Sequence, residues 1–402
     1  MTVPGIFKSK ILAPDILRLL WLWTAISIAA FGRTFYEIYR PAEGGRDVKN
    51  HILGRDFLNV WLGAKLTIGW ETAKVYSVPD YMAEVHRLFG QDYTQHNFSY
   101  PPHILPLILV FGLLAYFPAL TLWLAAGVAS LTAALRRHAG WPVLFLVLLS
   151  PASLANLASG QNGLFTAALF LGGLFLCETS PLIAGILFGL LTFKPHLGIL
   201  IPFVLLLRGN WKCIASASGT TVFLVAVSFL AWGITPWNDY LKNIVPYQAH
   251  LLEGGTSLYH RMMPGVFSDF SALFRGYDCV AFALYAVAAL AAFAGALMAV
   301  RKEGLTARTI FMLSLATLIV LPYGFNYDMI AVSGALAVYL VGVSEVPVLA
   351  HLAFGVLWAL PLAMYEVKKV PEMPVCSMTL LAAFAFLYMQ VRRQAQNPRV
   401  PA

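Results

Sequence analysis

Thirteen apolar runs punctuate the chain, near positions 16–34, 101–115, 117–136, 141–157, 161–178, 181–193, 196–208, 214–232, 279–300, 306–322, 328–344, 347–364 and 375–391. About 20 apolar residues carry a helix across a bilayer, and somewhat fewer suffice where the membrane thins. Lipid offers the backbone no hydrogen bonds, so a segment in it must satisfy its own, as a helix does. The breaks between runs hold turn signals: Trp141-Pro142, Gly160, Ser180-Pro181, Pro195, Pro322 and Pro347. Composition agrees, with 59% hydrophobic and 11% charged residues against about 45–50% and about 25% in soluble domains. A soluble enzyme, a disulfide scaffold and a disordered chain are excluded. The expectation is an all-α polytopic membrane protein. The first run, behind Lys8 and Lys10, lacks a small-residue cleavage site and is read as a retained helix rather than a signal peptide.

Basic links fix the orientation, because Lys and Arg favour the cytoplasmic side. With the N-terminus inside, Arg136-Arg137, Arg208 to Lys212, Arg301 to Arg308 and Arg392-Arg393 can all be cytoplasmic if one early run fails to cross. The run 101–115 is short, opens on Pro101-Pro102 and contains Pro106, so it is read as a re-entrant half-helix. Such backbone must be buried in protein or line a cavity. About twelve crossings remain, in a single domain over 1–402, and Lys368-Lys369 then falls outside against the rule. The net charge of +8 is assigned to topology and lipid contact. No basic run is interleaved with aromatics on a soluble face, so nucleic acid is not an expected partner. Cys177, Cys213, Cys279 and Cys376 are scattered without a CxxC, which suggests neither zinc nor a redox pair.

This arrangement collects the polar segments on the outer face. Two long loops lie there, 35–100 and 233–278, with the short links 159–163, 194–196 and 323–328. Loops beyond about 15 residues are usually functional or disordered. Phe57, Trp61, Leu66 and Trp70 recur at helical spacing in the first, so short interfacial helices are expected in it. The chain holds no Walker A loop, no GxGxxG after a strand and no HExxH. Chemistry on that face would need a lipid-borne activated substrate or simple hydrolysis.

Several motifs in those segments resemble a known family. Gly54-Arg55-Asp56-Phe57, Tyr100-Pro101-Pro102, Gly160-Gln161-Asn162, Phe193-Lys194-Pro195 and Pro322-Tyr323 through Tyr327-Asp328 are similar, in order and placement, to elements of glycosyltransferase family 87. That family holds polyprenol-phosphate-mannose-dependent mannosyltransferases of the membrane-embedded GT-C class. The resemblance implies a GT-C-like bundle and inverting transfer of a sugar, mannose by analogy, from a polyprenyl-phosphate donor to a lipid or glycan acceptor hydroxyl. It places a catalytic carboxylate at Asp56, implies no metal or other cofactor, and points to a bacterial inner membrane with the site facing the periplasm. Some members resemble this chain less at Asn326 and Tyr327, where they carry histidines.

Inverting transfer needs a base for the acceptor proton, and a carboxylate within hydrogen-bond reach can serve. Asp56 fits, and equally reads as the cap of a helix starting at Phe57; Asp47 is the fallback. A donor phosphate needs cations. Lys194 and His196 are the first candidates, since an ionisable residue near membrane depth is a functional hypothesis; Arg55, Arg261 and His260 follow. Lys194 could instead snorkel to the interface. Gln161 and Asn162 offer donors and acceptors for sugar hydroxyls, although Asn162 also suits a turn. Tyr100, Tyr327, Asp328 and His260 are further sugar or acceptor contacts, with interfacial anchoring the alternative for Tyr100 and helix capping for Asp328. His96 and His103, seven apart, are too few for a metal site. The competing function is a transporter or lipid flippase, but the chain shows no internal repeat and its charges sit at the ends of runs.

Overall fold

The structure, a computed structural model, describes residues 10–252, 258–370 and 373–396. Lys8, residues 253–257 of the second long loop and the tail beyond 396 lie outside the described residues. Of the described residues 77% are helical, and each of the thirteen apolar runs contains helix. Among the described residues five helices are long and apolar enough to cross a membrane: Tyr116–Leu135, Trp211–Trp232, Asp278–Glu303, Val348–Val367 and Val375–Gln394. The pair Trp141–Leu148 and Pro151–Ser159 qualifies as a sixth if its 55° bend is one broken span. Ser150 makes that break. It is fully buried, and its hydroxyl caps the second helix through the Ser153 N–H, while Pro151 occupies the first helical position, where no N–H is needed.

Shorter apolar helices fill the rest, among them Gly163–Leu176, Pro181–Leu191, Ala307–Val320 and Ile330–Val341. At 14 residues, Gly163–Leu176 is about 21 Å long from the helical rise, less than the ~30 Å of a bilayer core. It nonetheless runs between two polar ends. At one end Asn162 meets Lys194; at the other, Glu178 pairs with Arg208. Arg308 with Glu303 and Gln394 marks the second end too, beside a short ribbon in which Lys10–Leu12 pairs antiparallel with Glu345–Pro347.

Among the described residues two large apolar cores result, with a third, small cluster at Met263, Phe325 and Tyr327. The larger unites Leu20 with the helices from Leu131 to Val391. The smaller is built by the first long loop on its neighbours, with Phe57, Trp61, Phe111, Tyr116 and Trp123 in ring contact. Short helices form in that loop, as expected: Phe57–Ile68, Thr72–Val75 and Val78–Phe89. Phe57–Ile68 buries nine of its twelve residues and packs on Leu105–Gly112. Asn59, Lys65 and Thr67 are its only polar residues, and a helix this apolar is driven inside rather than onto a surface. The run 101–115 is short, as expected: a 3-10 turn at Pro102–Ile104 leads into Leu105–Gly112, and the chain turns before Tyr116.

Lys368, the exception to the charge rule, is held by protein. Its ammonium lies 2.8 Å from the Asp269 carboxylate and also bonds the Met263 carbonyl and the Ser268 hydroxyl at 3.1 Å. Asp269 is only 3% exposed and takes the Ser377 N–H and hydroxyl at 2.8 Å each. A lysine neutralised in this way contributes little free charge to orientation.

Candidate functional site

The motif segments meet through close backbone approach. Gly160 ends the helix Pro151–Ser159 in the left-handed region, φ +73°. A β-carbon there would come within 2.8 Å of the Gly54 carbonyl and 2.9 Å of Phe57. Gly163 is as tightly held, because its β-carbon would lie 2.3 Å from the Tyr327 carbonyl oxygen. Glycine at these two positions lets the 160–163 link touch both the first long loop and the 325–328 turn. The Asp56 N–H donates to the Ser159 carbonyl at 2.9 Å. Tyr116 and Trp123, both in Tyr116–Leu135, donate to the carbonyls of Gly54 and Gly160 at 2.9 and 3.1 Å.

A hydrogen-bonded chain then ties four motifs together. Asn162, 1% exposed, donates from its amide nitrogen to the Tyr100 hydroxyl at 2.8 Å and accepts from Lys194 at 3.3 Å. Lys194 also donates to Asp328 Oδ1 at 2.6 Å and sits 4.9 Å from the Tyr327 ring centre. The other Asp328 oxygen accepts the Phe325 N–H at 3.1 Å. Asp328 has no exposed side-chain surface, so its carboxylate caps the turn and neutralises Lys194. Burial, with the Asp56 and Asp328 charges nearby, raises the Tyr100 phenol above its ordinary value, so it stays protonated.

These residues border a cavity of about 720 Å³ whose wall includes Arg55, Asp56, Tyr100, Gln161, Lys194, His196 and Tyr327. Asn162 and Asp328 stand directly behind that wall. His260 and Arg261 are not on it, although their neighbour Met262 is; the Arg261 charge is felt at Glu366 instead. Asn326 is buried, donating to the Pro361 carbonyl and the Tyr365 hydroxyl at 3.1 Å each.

Asp56 and Arg55 are the least satisfied charges of this group. Asp56 precedes Phe57–Ile68 but adopts helical φ/ψ, and its side chain makes no capping bond. The carboxylate is 23% exposed, with the Arg55 guanidinium 4.0 Å away. Arg55 is buried, stacked at 4.7 Å on the Tyr39 ring and donating to the Tyr39 hydroxyl at 3.1 Å. Tyr39 in turn lies 3.2 Å from the Tyr365 hydroxyl. Burial opposes the Arg55 charge, but Tyr39, Asp56, Tyr365 and Asp47 around it hold the guanidinium above its ordinary value. Lys194 has a carboxylate at 2.6 Å, whereas Arg55 and Asp56 are 4.0 Å apart. Of the two, Arg55 is the more available to an incoming anion.

The cavity also has a wall that the motifs did not announce. Thr94, Gln95 and His96 from the first long loop face it, as do Tyr240 and Gln248 from the second. Gln248 is anchored by a 3.0 Å bond to the Ser99 carbonyl. A π-helical turn over Tyr240–Ile244 brings this segment in; such turns recur near functional sites. Among the described residues no three His, Cys, Asp or Glu side chains cluster as a bound metal would require. His196 keeps a buried Nε2 without a hydrogen-bond partner beside the cavity.

The comparisons with known proteins agree with these motifs in part. A family model described as glycosyltransferase family 87 matches residues 98–323, more than half of the chain. The matched span contains the 100–102, 160–162 and 193–195 motifs; Asp56 and Asp328 lie outside it. No curated protein and no solved structure matches.

Proposed function

The chain belongs to glycosyltransferase family 87, a multi-pass membrane glycosyltransferase, and from that premise we propose that it moves a sugar from a polyprenyl-phosphate donor to an acceptor hydroxyl, with inversion and with Asp56 as general base. The observation that carries the reading is the Asp56 carboxylate. It occupies a cap position without capping, and it looks into a cavity bordered by a buried guanidinium and a lysine.

In this reaction the acceptor oxygen bonds to C1 of the sugar while the bond from C1 to the phosphate oxygen breaks. The acceptor proton passes to Asp56, and the polyprenyl phosphate leaves with the bonding electron pair. Charge grows on the phosphate as it departs. Fixed cations aimed at that charge lower the barrier. Arg55 is assigned as the first contact of the phosphate, because its charge is the less compensated. Lys194 and His196 complete the anion site. Gln161 and Tyr327 are assigned to the sugar, since they are on the wall. Asn162 and Asp328 are assigned to holding Lys194 and Tyr100 in place. Mannose is the sugar proposed, by family analogy.

For the membrane we propose a GT-C-like bundle of about twelve crossings in a bacterial inner membrane, the cavity facing the periplasm. Support comes from the shorter helices that link the two polar ends, and from the neutralised Lys368.

The test is transfer by purified protein in lipid, given polyprenyl-phosphate mannose and a panel of lipid and glycan acceptors. Asp56→Asn should lower kcat by about 10²–10⁴-fold, the usual contribution of a positioned base, with little change in donor KM. Arg55→Gln should raise the donor KM. Wild-type turnover in Asp56→Asn would remove the base assignment. Donor movement across the bilayer without any new glycosidic bond would replace the whole reading by a transporter.

A further inference from the structure

Thr94 and His96 stand on the cavity wall without a place in the reaction just described. Their hydrogen bonding fixes which way each polar atom faces. The Asp47 carboxylate is 5% exposed and accepts the backbone N–H groups of Lys49 and His51 at 2.8 and 3.0 Å. Its second oxygen lies 3.2 Å from His51 Nδ1. A carboxylate of this kind only accepts, so the imidazole carries its proton on Nδ1. The bare Nε2 then lies 2.8 Å from Thr94 Oγ1, and the Thr94 hydroxyl must donate to it. Burial lowers His51 below its ordinary value, and the Arg55 charge acts in the same direction against the attraction of Asp47; the ring is neutral at pH 7.

With its hydrogen directed at His51, Thr94 Oγ1 can only accept from a ligand. His96 reaches the same condition by another route. Its Nδ1 lies 2.9 Å from the Thr94 carbonyl oxygen, which can only accept, so in the imidazole form the proton sits on Nδ1 and Nε2 is the acceptor. The two imidazoles are centred 6.5 Å apart. One stretch of wall thus offers two acceptors and no donor from these side chains. Its complement is a ligand with two donors, either a diol or an ammonium. Of the two, the diol is the one that fits a site of sugar transfer.

We propose that Thr94 Oγ1 and His96 Nε2 form a subsite that reads two hydroxyl hydrogens of a neutral, polyhydroxylated acceptor, with Asp47 and His51 as positioning residues behind Thr94. The proposal rests on the reading of this cavity as a site of sugar transfer. A site built to pair with hydroxyls rejects an analogue that lacks one, because its own acceptors are left unpaired.

The experiment measures binding without turnover. Protein in lipid nanodiscs is titrated with methyl gluco-, galacto- and mannopyranosides and with their monodeoxy counterparts, read by saturation-transfer-difference NMR. At least one glycoside is expected to bind and to weaken about tenfold when one of two neighbouring hydroxyls is removed, as loss of one hydrogen bond implies. Thr94→Val should erase that difference and Thr94→Ser should restore it, a rescue that a merely structural role would not show. His51→Gln should raise the acceptor KM with kcat changed less. Binding of no glycoside, equal binding of parent and deoxy forms, or discrimination intact in Thr94→Val would each overturn the subsite. Asp56→Asn, run in the same titration, separates the two ideas. Discrimination kept with transfer lost upholds both; discrimination kept with transfer intact overturns the base assignment alone.

Discussion

Replacing either member of the Lys194–Asp328 pair should cost far more than replacing both. The ammonium and carboxylate are 2.6 Å apart, with 9% and 0% of their side-chain surfaces exposed. Removing one partner of a buried pair leaves a charge without compensation and costs about 3–5 kcal/mol, whereas apolar replacement of both is often neutral or stabilising. Two attached bonds moderate the recovery. The Phe325 N–H loses Asp328 and the Asn162 oxygen loses Lys194, each worth about 1 kcal/mol. Asp328→Leu and Lys194→Met should therefore each destabilise by about 3–5 kcal/mol, and the double variant should lie within about 2 kcal/mol of wild type. That is a coupling of several kcal/mol, well outside additivity. The chain supplies its own reporters. Cys177, Cys213 and Cys376 are free and buried, so once the exposed Cys279 is replaced by Ser a thiol-reactive dye follows unfolding in mixed micelles. Two single variants as stable as wild type, or a double variant as unstable as the sum of the singles, would refute the argument. Both singles and the double should bind donor more weakly.

Gly163→Ala should lose stability and transfer together, since its new methyl would meet the Tyr327 carbonyl at 2.3 Å; overpacking of this kind costs about 1–3 kcal/mol. Gly219→Ala, in Trp211–Trp232 with nothing within 4 Å, should be neutral or stabilising by about 0.5–1 kcal/mol in the same melt. Lys368→Met strands the buried Asp269 and should be markedly more destabilising than Lys369→Met, whose partner pair is about half exposed and worth at most about 1 kcal/mol. Acidification should loosen the first long loop through His51. Its folded value is lowered from 6.5, so the unfolded chain takes the proton first; the stabilising contribution of the neutral ring is full above that value and is lost as pH falls from it through the folded-state value. Hydrogen exchange over 45–53, corrected for intrinsic rate, should rise from pH 7.5 to pH 5 in wild type and stay flatter in His51→Gln. An equal rise in both would refute this.

The helical runs and the meeting of the motifs were legible because each rests on a local signal. Apolar stretches bounded by Pro, Gly and Ser produce helices whatever their neighbours. Polar residues stranded between such stretches, Asn162 and Lys194 among them, gather where the helices end. The pairing of Lys194 with Asp328 was not legible, because the two are 134 positions apart and nothing local marks them as partners. Sequence reasoning ranks Lys194 first as the anion contact; that a carboxylate lies against it appears only in three dimensions. The burial of Phe57–Ile68 could have been read from how few polar residues it carries: Asn59, Lys65 and Thr67. Thr94 had no signal at all. Its importance depends on a histidine 43 positions away and on the direction of a single hydrogen.

The distance in sequence between Lys194 and Asp328 has a consequence for biosynthesis. At about 5–20 residues per second, some 7–27 seconds separate their emergence from the ribosome. Throughout that interval the nascent chain holds an ammonium whose eventual counter-ion has not been made. A truncated chain that stops before 328 should leave position 194 open to water-borne acylating reagents, and longer chains should close it. Completion of the cavity's Lys194 wall thus waits on the late turn Asn326–Met329, so quality control that surveys exposed lysine would distinguish finished protein from arrested intermediates.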